Sequence, residues 1–408
     1  MRKYQNGYIW RKGANWYGRW WEDVIENGRV VRKQRARKLA EYSDRYRTES
    51  DVRPLLDDIL RPLNEGKTRP EGTLSVSQFV EDHYLPFGEE NFKPSTIAGY
   101  KKMWEAYLSP RLTNILVRDF RTVDAANLLA DLHRKHNLGR TTLKHIKSFL
   151  SGVFTYAKNQ GVLDGENPVR DAMIPKKAAA PEETHAASPD EVLAIMEALA
   201  EAGQRQARAA VALVFFAGLR PGEARGARWE DFDGKRLVVR QSIWNKYTTS
   251  PKTESSIKPV PIIEPLSGIL AELREADNNP QNGPILRGPS GKALDLHNLA
   301  NRVVIPILTR CGICKKTKDD HLDQADHKYK LDESRPKWHG WYSLRRGVGT
   351  AVANLSNSLA AKGLLRHSSV STTERHYIKD VPESTLEAMK LLERLCNRSA
   401  TEGDAKPS

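Results

Sequence analysis

Between Thr141 and Lys158 apolar side chains return every three or four positions, at Leu143, Ile146, Leu150, Val153, Phe154 and Ala157. That spacing predicts an amphipathic helix with one buried stripe. Lys144, Lys147 and Lys158 fall on its other faces. A second helix opens at Pro94-Ser95 and carries Ile97, Tyr100, Trp104 and Leu108. Residues 74–165 as a whole read as helical. The start of the chain has a different period. The runs GYIWRK, NWYGRWWEDV and RVVRKQRA read as strands, and Asn27-Gly28 separates the last two. That dipeptide is the strongest short hairpin signal. A three-stranded sheet is expected, too small to be very stable alone.

Periodicity then stops. IPKKAAAPEETHAA, residues 174–187, is rich in Pro and Ala with no apolar repeat, and reads as a linker. It ends at Ser188-Pro189-Asp190-Glu191, a capping box with proline at the first helical position. A new domain starts there and runs to about residue 395. It alternates helices with one strand-rich patch, KRLVVRQSIWNK followed by a polar turn and SSIKPVPII. The polar tail NRSATEGDAKPS is expected to be disordered.

Charge narrows the class. The 408 residues hold 65 Lys plus Arg against 51 Asp plus Glu, a net +14. Such a chain suits a polyanion, of which nucleic acid is the commonest. Residues 1–50 alone hold 13 basic and 6 acidic residues, half of the excess, with Tyr8, Trp10, Trp16, Tyr17, Trp20 and Trp21 interleaved. Most of those tryptophans are expected in the core of the sheet. Packing does not ask for Arg32, Lys33, Arg35, Arg37 and Lys38 so close together, and phosphate binding does. Three cysteines cannot build a disulfide framework, so a reducing, cytoplasmic setting is expected. No run approaches the roughly 18 apolar residues of a membrane span. MRKYQNGYIW lacks the apolar stretch of a signal peptide.

Cutting DNA with side chains alone needs a nucleophile for phosphorus and fixed cations for the non-bridging oxygens. It also needs an acid for the departing oxygen. Arginine suits the oxygens, because its planar fork stays charged and binds two at once. Three stretches of the last domain supply such groups. FFAGLRPGEARGARWEDFD (215–233) holds Arg220 and Glu223, and SPKTESSIKPVPI (250–262) holds Lys252. WHGWYSLRRGVGT (338–350) through LLRHSSVSTTERHYIK (364–379) holds Arg345, His367 and Tyr377.

These stretches resemble the tyrosine recombinases, the phage-integrase family. Ala217 to Glu223 reproduces the family's first box, followed by the usual Arg228-Trp229-Glu230-Asp231. Lys252 matches its hairpin lysine, Tyr342-Ser343-Leu344-Arg345-Arg346 its second box, and Leu365 to Tyr377 its third. The resemblance covers the whole catalytic domain; upstream, charge and order carry it rather than motifs. It implies a multidomain, mainly α chain. An arm-type DNA-binding sheet would occupy 1–50, a linker helix 51–73 and a helical core-binding domain 74–173. A linker at 174–187, a mixed α+β catalytic domain over 188–395 and a disordered tail at 396–408 would complete it.

The implied activity is that of a site-specific recombinase, or integrase, of a mobile element. Tyr377 would attack the scissile phosphate, leaving a 3′-phosphotyrosyl link and a free 5′-hydroxyl. Arg220 and Arg345 would clamp the non-bridging oxygens, and Lys252 would protonate the leaving oxygen. His367 would hydrogen-bond the phosphate or the nucleophile. Glu223 would orient Arg220 or its neighbours, or serve as a core ion-pair partner. No cofactor and no catalytic metal are needed. The implied partners are double-stranded DNA attachment sites, further copies of the chain in a homotetramer on DNA, and an accessory directionality or DNA-bending protein. A cytoplasmic, nucleoid-associated location follows, with no membrane.

The pattern departs from the family in two places. Tyr342 stands where the second box has histidine, with His339 three residues earlier, a turn away if the segment is helical. Tyrosine is a poor cation near neutral pH, so proton handling is expected to rest more on Lys252, with Lys258 in the same hairpin as the other candidate. Tyr377 follows His367 by ten residues where nine is usual, so His376 falls at the customary tyrosine position. Two rivals share these residues: a DNA-binding regulator with impaired cleavage, and a type IB topoisomerase-like relaxer.

One segment lies outside the family pattern. TRCGICKKTKDDHLDQADHKYK, between Leu308 and Lys330, holds Cys311, Cys314, His321 and His327. A Cys-x-x-Cys followed by two histidines can bind zinc tetrahedrally, though this spacing is not that of a standard finger. The alternative is a charged surface excursion with two ordinary thiols. A zinc ion here would clip the loop rather than catalyse.

Overall fold

The computed structural model describes residues 4–66, 68–250, 257, 259–321 and 326–366. The chain divides into two compact units, residues 1–182 and 183–408.

In the first unit β1 (Tyr8–Lys12), β2 (Asn15–Glu26) and β3 (Arg29–Glu41) form an antiparallel sheet in that order. Asn27 and Gly28 take φ of 51° and 73°, as the tight hairpin turn requires. Alternation along β2 buries Trp16, Trp20 and Val24 and leaves Trp21 47% exposed. The tryptophans thus split between core and surface. α1 (Glu49–Asn64) closes the inner face with Val52, Leu56 and Leu60. Its start is fixed by Asp51, whose carboxylate accepts from the Thr48 N–H at 2.8 Å. β3 is exposed almost throughout. Its Arg32, Lys33 and Lys38 pair with Asp23, Glu26 and Glu41. Exposed pairs of this kind contribute about 0–1 kcal/mol each. Arg35 shares the buried Glu22 with Arg118.

The rest of this unit is helical. After a run over residues 76–91 come α2 (Pro94–Met103), α3 (Thr122–His136) and α4 (Arg140–Asn159). α4 buries the apolar stripe read from its spacing, with Phe149 added. Residues 174–187 hold no helix or strand, yet the segment is pinned at two points. Ala179 O accepts from the Arg140 N–H at 2.9 Å, and the Ala187 N–H donates to Ser343 O at 3.0 Å.

The second unit opens with α5 (Pro189–Glu201), whose Glu191 N–H donates to Ser188 Oγ at 3.1 Å. This is the capping box visible in the sequence. α6 (Arg205–Phe216) runs through the core, with Ala207 and residues 209–215 buried. Next come α7 (Pro221–Gly226), β4 (Arg236–Val238), β5 (Ser242–Trp244), β6 (Tyr247–Thr249), β7 (Pro259–Pro261) and α8 (Glu264–Ala276). The strand patch is not one hairpin. β4 pairs with β7 and β5 with β6, both antiparallel. Asn245 at φ 51° turns the chain back before the polar segment is reached. α9 (Trp341–Leu355) and α10 (Ser358–Leu365) follow. Among the described residues no helix is long and apolar enough to cross a membrane.

Candidate active site

α6 delivers its end to the site through Gly218, which has φ 56°. A Cβ there would lie 3.3 Å from the Leu365 side chain, so both the backbone angle and the space favour glycine. Arg220, two residues on, is the N-cap of α7. Glu223 accepts the Arg220 N–H at 3.0 Å on one carboxylate oxygen and the Arg220 Nη1 at 2.7 Å on the other. It therefore caps the helix and orients the arginine at once, while only 2% exposed.

A second guanidinium reaches the same carboxylate. Arg366, the residue after α10, has φ 53° and donates to Glu223 Oε2 at 2.6 Å. Its side chain is buried. Burial pushes the Arg366 guanidinium down to about 10, with Glu223 pulling up and Arg345 and Arg220 pushing further down. On Glu223 burial acts upward, but Arg366, Arg220 and Arg345 outweigh it and hold the carboxyl below its usual range. Arg366 carries no signal of this role in the sequence. A basic residue after Leu364-Leu365 looks like a solvated helix end, and only the positive φ turns it inward.

Arg345 is 0% exposed. Its Nη1 donates to Gly218 O and its Nη2 to Leu365 O, the latter at 2.6 Å. It thus joins the segment leading to Arg220 with the segment leading to His367. Tyr342, one turn earlier on α9, is 53% exposed. His339 precedes the helix, because Gly340 is the N-cap with φ 84°. It stacks on His185 at 3.9 Å between ring centroids. Burial, His185 and Lys337 push its pKa down, against Glu191.

α7 is pressed onto β5. A Cβ on Gly226 would stand 2.6 Å from Gln241 O, so backbone meets backbone there. β5 and β6 lead in turn to the segment that carries Lys252. Lys252, Lys258, His367, His376 and Tyr377 lie outside the described residues, as does the tail at 396–408. The site therefore consists of three buried or half-buried guanidiniums around one carboxylate. That is an excess of positive charge where three sequence boxes meet. Cys311, Cys314, His321 and His327 form a separate cluster, their ligand atoms all within 4.8 Å of one another.

No protein-family profile matches the chain. A tyrosine recombinase XerC-like protein of Caldanaerobacter subterraneus subsp. tengcongensis is 24% identical over 402 residues, covering 91% of this chain and 93% of the relative. A Tn1549 transposon integrase solved with transposon right-end DNA superposes with a TM-score of 0.59 at 17% identity, over 78% of this chain and 100% of that one. A lambda integrase tetramer bound to a Holliday junction gives 0.53 at 17% identity, over 94% and 99%. These likenesses establish the fold: a small sheet, a helical domain and an integrase-type catalytic domain. Over nine-tenths of its length the chain is a homologue of a tyrosine recombinase.

Proposed function

We propose that the chain is a site-specific DNA recombinase that cuts and rejoins DNA through a phosphotyrosyl intermediate, integrating or excising a mobile element. The observation that carries this reading is the cluster of Arg220, Arg345 and Arg366 around the single carboxylate of Glu223. A phosphate is the natural complement of such an excess, and phosphate charge grows as phosphorus is attacked.

In this mechanism the Tyr377 hydroxyl loses its proton to solvent as its oxygen attacks phosphorus, the bond to the 5′-oxygen breaks, and Lys252 gives that oxygen a proton. Arg220, the more open of the arginines named by the sequence, binds a non-bridging oxygen. Arg345 carries charge to the same phosphate and holds the Gly218 and Leu365 segments together around it. His367 hydrogen-bonds the phosphate or the nucleophile. The phosphotyrosine keeps the energy of the broken bond, so a 5′-hydroxyl of a second duplex can attack it and release Tyr377. Double-stranded attachment sites and a tetramer on DNA belong to this reading, since one exchange needs four such cleavages.

Covalent trapping tests it. On a nicked or bridging-phosphorothioate substrate carrying the element's junction, the wild type is expected to give a DNA-linked band that Tyr377→Phe lacks. Binding without any covalent band would shift the reading to a DNA-binding regulator. Relaxation of plasmids lacking the junction would shift it to a type IB topoisomerase-like activity.

A further inference from the structure

The recombinase reading makes no use of the segment between Leu308 and α9. We propose that Cys311, Cys314, His321 and His327 bind one zinc ion, closing this segment as a structural clip.

Two of the separations match the edges of a tetrahedral zinc site, and all four ligand atoms lie within 4.8 Å of one another. Cys311 Sγ lies 3.4 Å from His327 Nε2, and the two histidine Nε2 atoms are 3.2 Å apart. With Zn–S about 2.3 Å and Zn–N about 2.0 Å, the edges of a tetrahedral site span roughly 3.3–3.8 Å. The two imidazole rings stand at 82°, so neither stacks on the other, and their Nε2 atoms converge.

The surroundings prepare the ligands. His327 Nδ1 pairs with Asp326 Oδ1 at 2.6 Å, which leaves Nε2 for a metal and fixes the ring, the usual support of a metal-bound histidine. Around the cysteines, the Lys315 N–H donates to Cys311 O at 3.0 Å and the Cys311 N–H to Lys316 O at 2.7 Å. Lys315 takes φ 60°. This tight turn brings the two thiols, three residues apart, into one cluster.

Apolar burial in the segment is slight. Among the described residues from Thr309 to Arg335 only Cys311 and Asp332 are buried. Ile313 and Leu331 are 57% and 47% exposed. So little apolar burial does not offset the entropy of ordering a loop of this length. A chelated ion does, because its binding free energy becomes folding free energy. Two thiolates with two imidazoles select zinc over oxygen-seeking cations. Four protein ligands leave no position for water, which makes the site structural.

The test is metal content. The full chain, purified under reducing conditions without chelator, is expected to carry one zinc per chain by inductively coupled plasma mass spectrometry. Cys314→Ser and His321→Ala should fall to background. His321→Cys, which keeps a ligand, and Cys396→Ser, the third cysteine of the chain, should retain the full equivalent. Should the first two variants fail to fold, the wild type carries the test. A strong chelator should expose the lysines between Lys315 and Lys330 to trypsin, and added zinc should protect them again. A wild type that neither contains nor takes up zinc overturns the proposal. So does Cys314→Ser with undiminished zinc, or tryptic cutting that ignores chelator.

Discussion

Arg366 and Glu223 are 143 positions apart and share a 2.6 Å charge-assisted hydrogen bond with almost no exposure on either side. Removing one partner of a buried pair costs far more than the pair contributes, about 3–5 kcal/mol, because the other charge is left in low dielectric. Glu223→Gln is expected to lose stability of that order in urea unfolding. Arg366→Met should lose less, since Glu223 keeps Arg220.

The same carboxylate gives a pH signature. Its pKa is lower folded than unfolded, because three guanidiniums outweigh the effect of burial. Its contribution is therefore complete above the ordinary carboxylate value of 4.5 and lost as pH falls below it. The thermal stability of the wild type should converge on that of Glu223→Gln as the buffer is taken below that value.

Arg220→Gln should separate binding from chemistry. Loss of one fixed charge at a reacting centre typically costs 10²–10³ in rate, as an order of magnitude. The rate of covalent complex formation is expected to drop by about that factor on a suicide substrate, while gel-shift affinity for the same duplex changes little.

Gly226→Ala tests the contact between α7 and β5. The added methyl would meet the Gln241 carbonyl at 2.6 Å, and backbone cannot rotate away as a side chain can. Overpacking of this kind costs about 1–3 kcal/mol. Both the unfolding midpoint and cleavage should fall, because Arg220 and the chain toward Lys252 sit on the two sides of that contact.

On the N-terminal sheet, Arg37 has no ion pair among the described residues, whereas Arg32, Lys33 and Lys38 do. If this face meets DNA backbone, Arg37→Gln should reduce the slope of log K against log salt by about 0.9. An unchanged slope would mean that this arginine does not touch phosphate.

Local signals were legible in the chain and long-range ones were not. The stripe on α4, the Asn27-Gly28 turn and the Ser188 cap each depend on residues a few positions apart, so spacing discloses them. Arg220 and Glu223 were visible for the same reason. The burial of Arg345 against two carbonyls, the inward turn of Arg366 and the stacking of His339 on His185 depend on segments brought together from far along the sequence. A charged residue carries no mark of which distant partner removes it from water. The strand patch misled because Asn245 turns the chain inside what reads as one continuous strand.

The Cys/His segment begins and ends at one place. The Asp332 N–H donates to Arg310 O at 3.0 Å, and the Gly312 N–H to Lys330 O at 2.7 Å. Its two ends are thus side by side. With its ends adjacent, the segment has the geometry of a cassette, exchangeable as a unit. For the same reason, the join between Arg310 and Asp332 is a natural point at which to splice a reporter or a tethering domain into this protein.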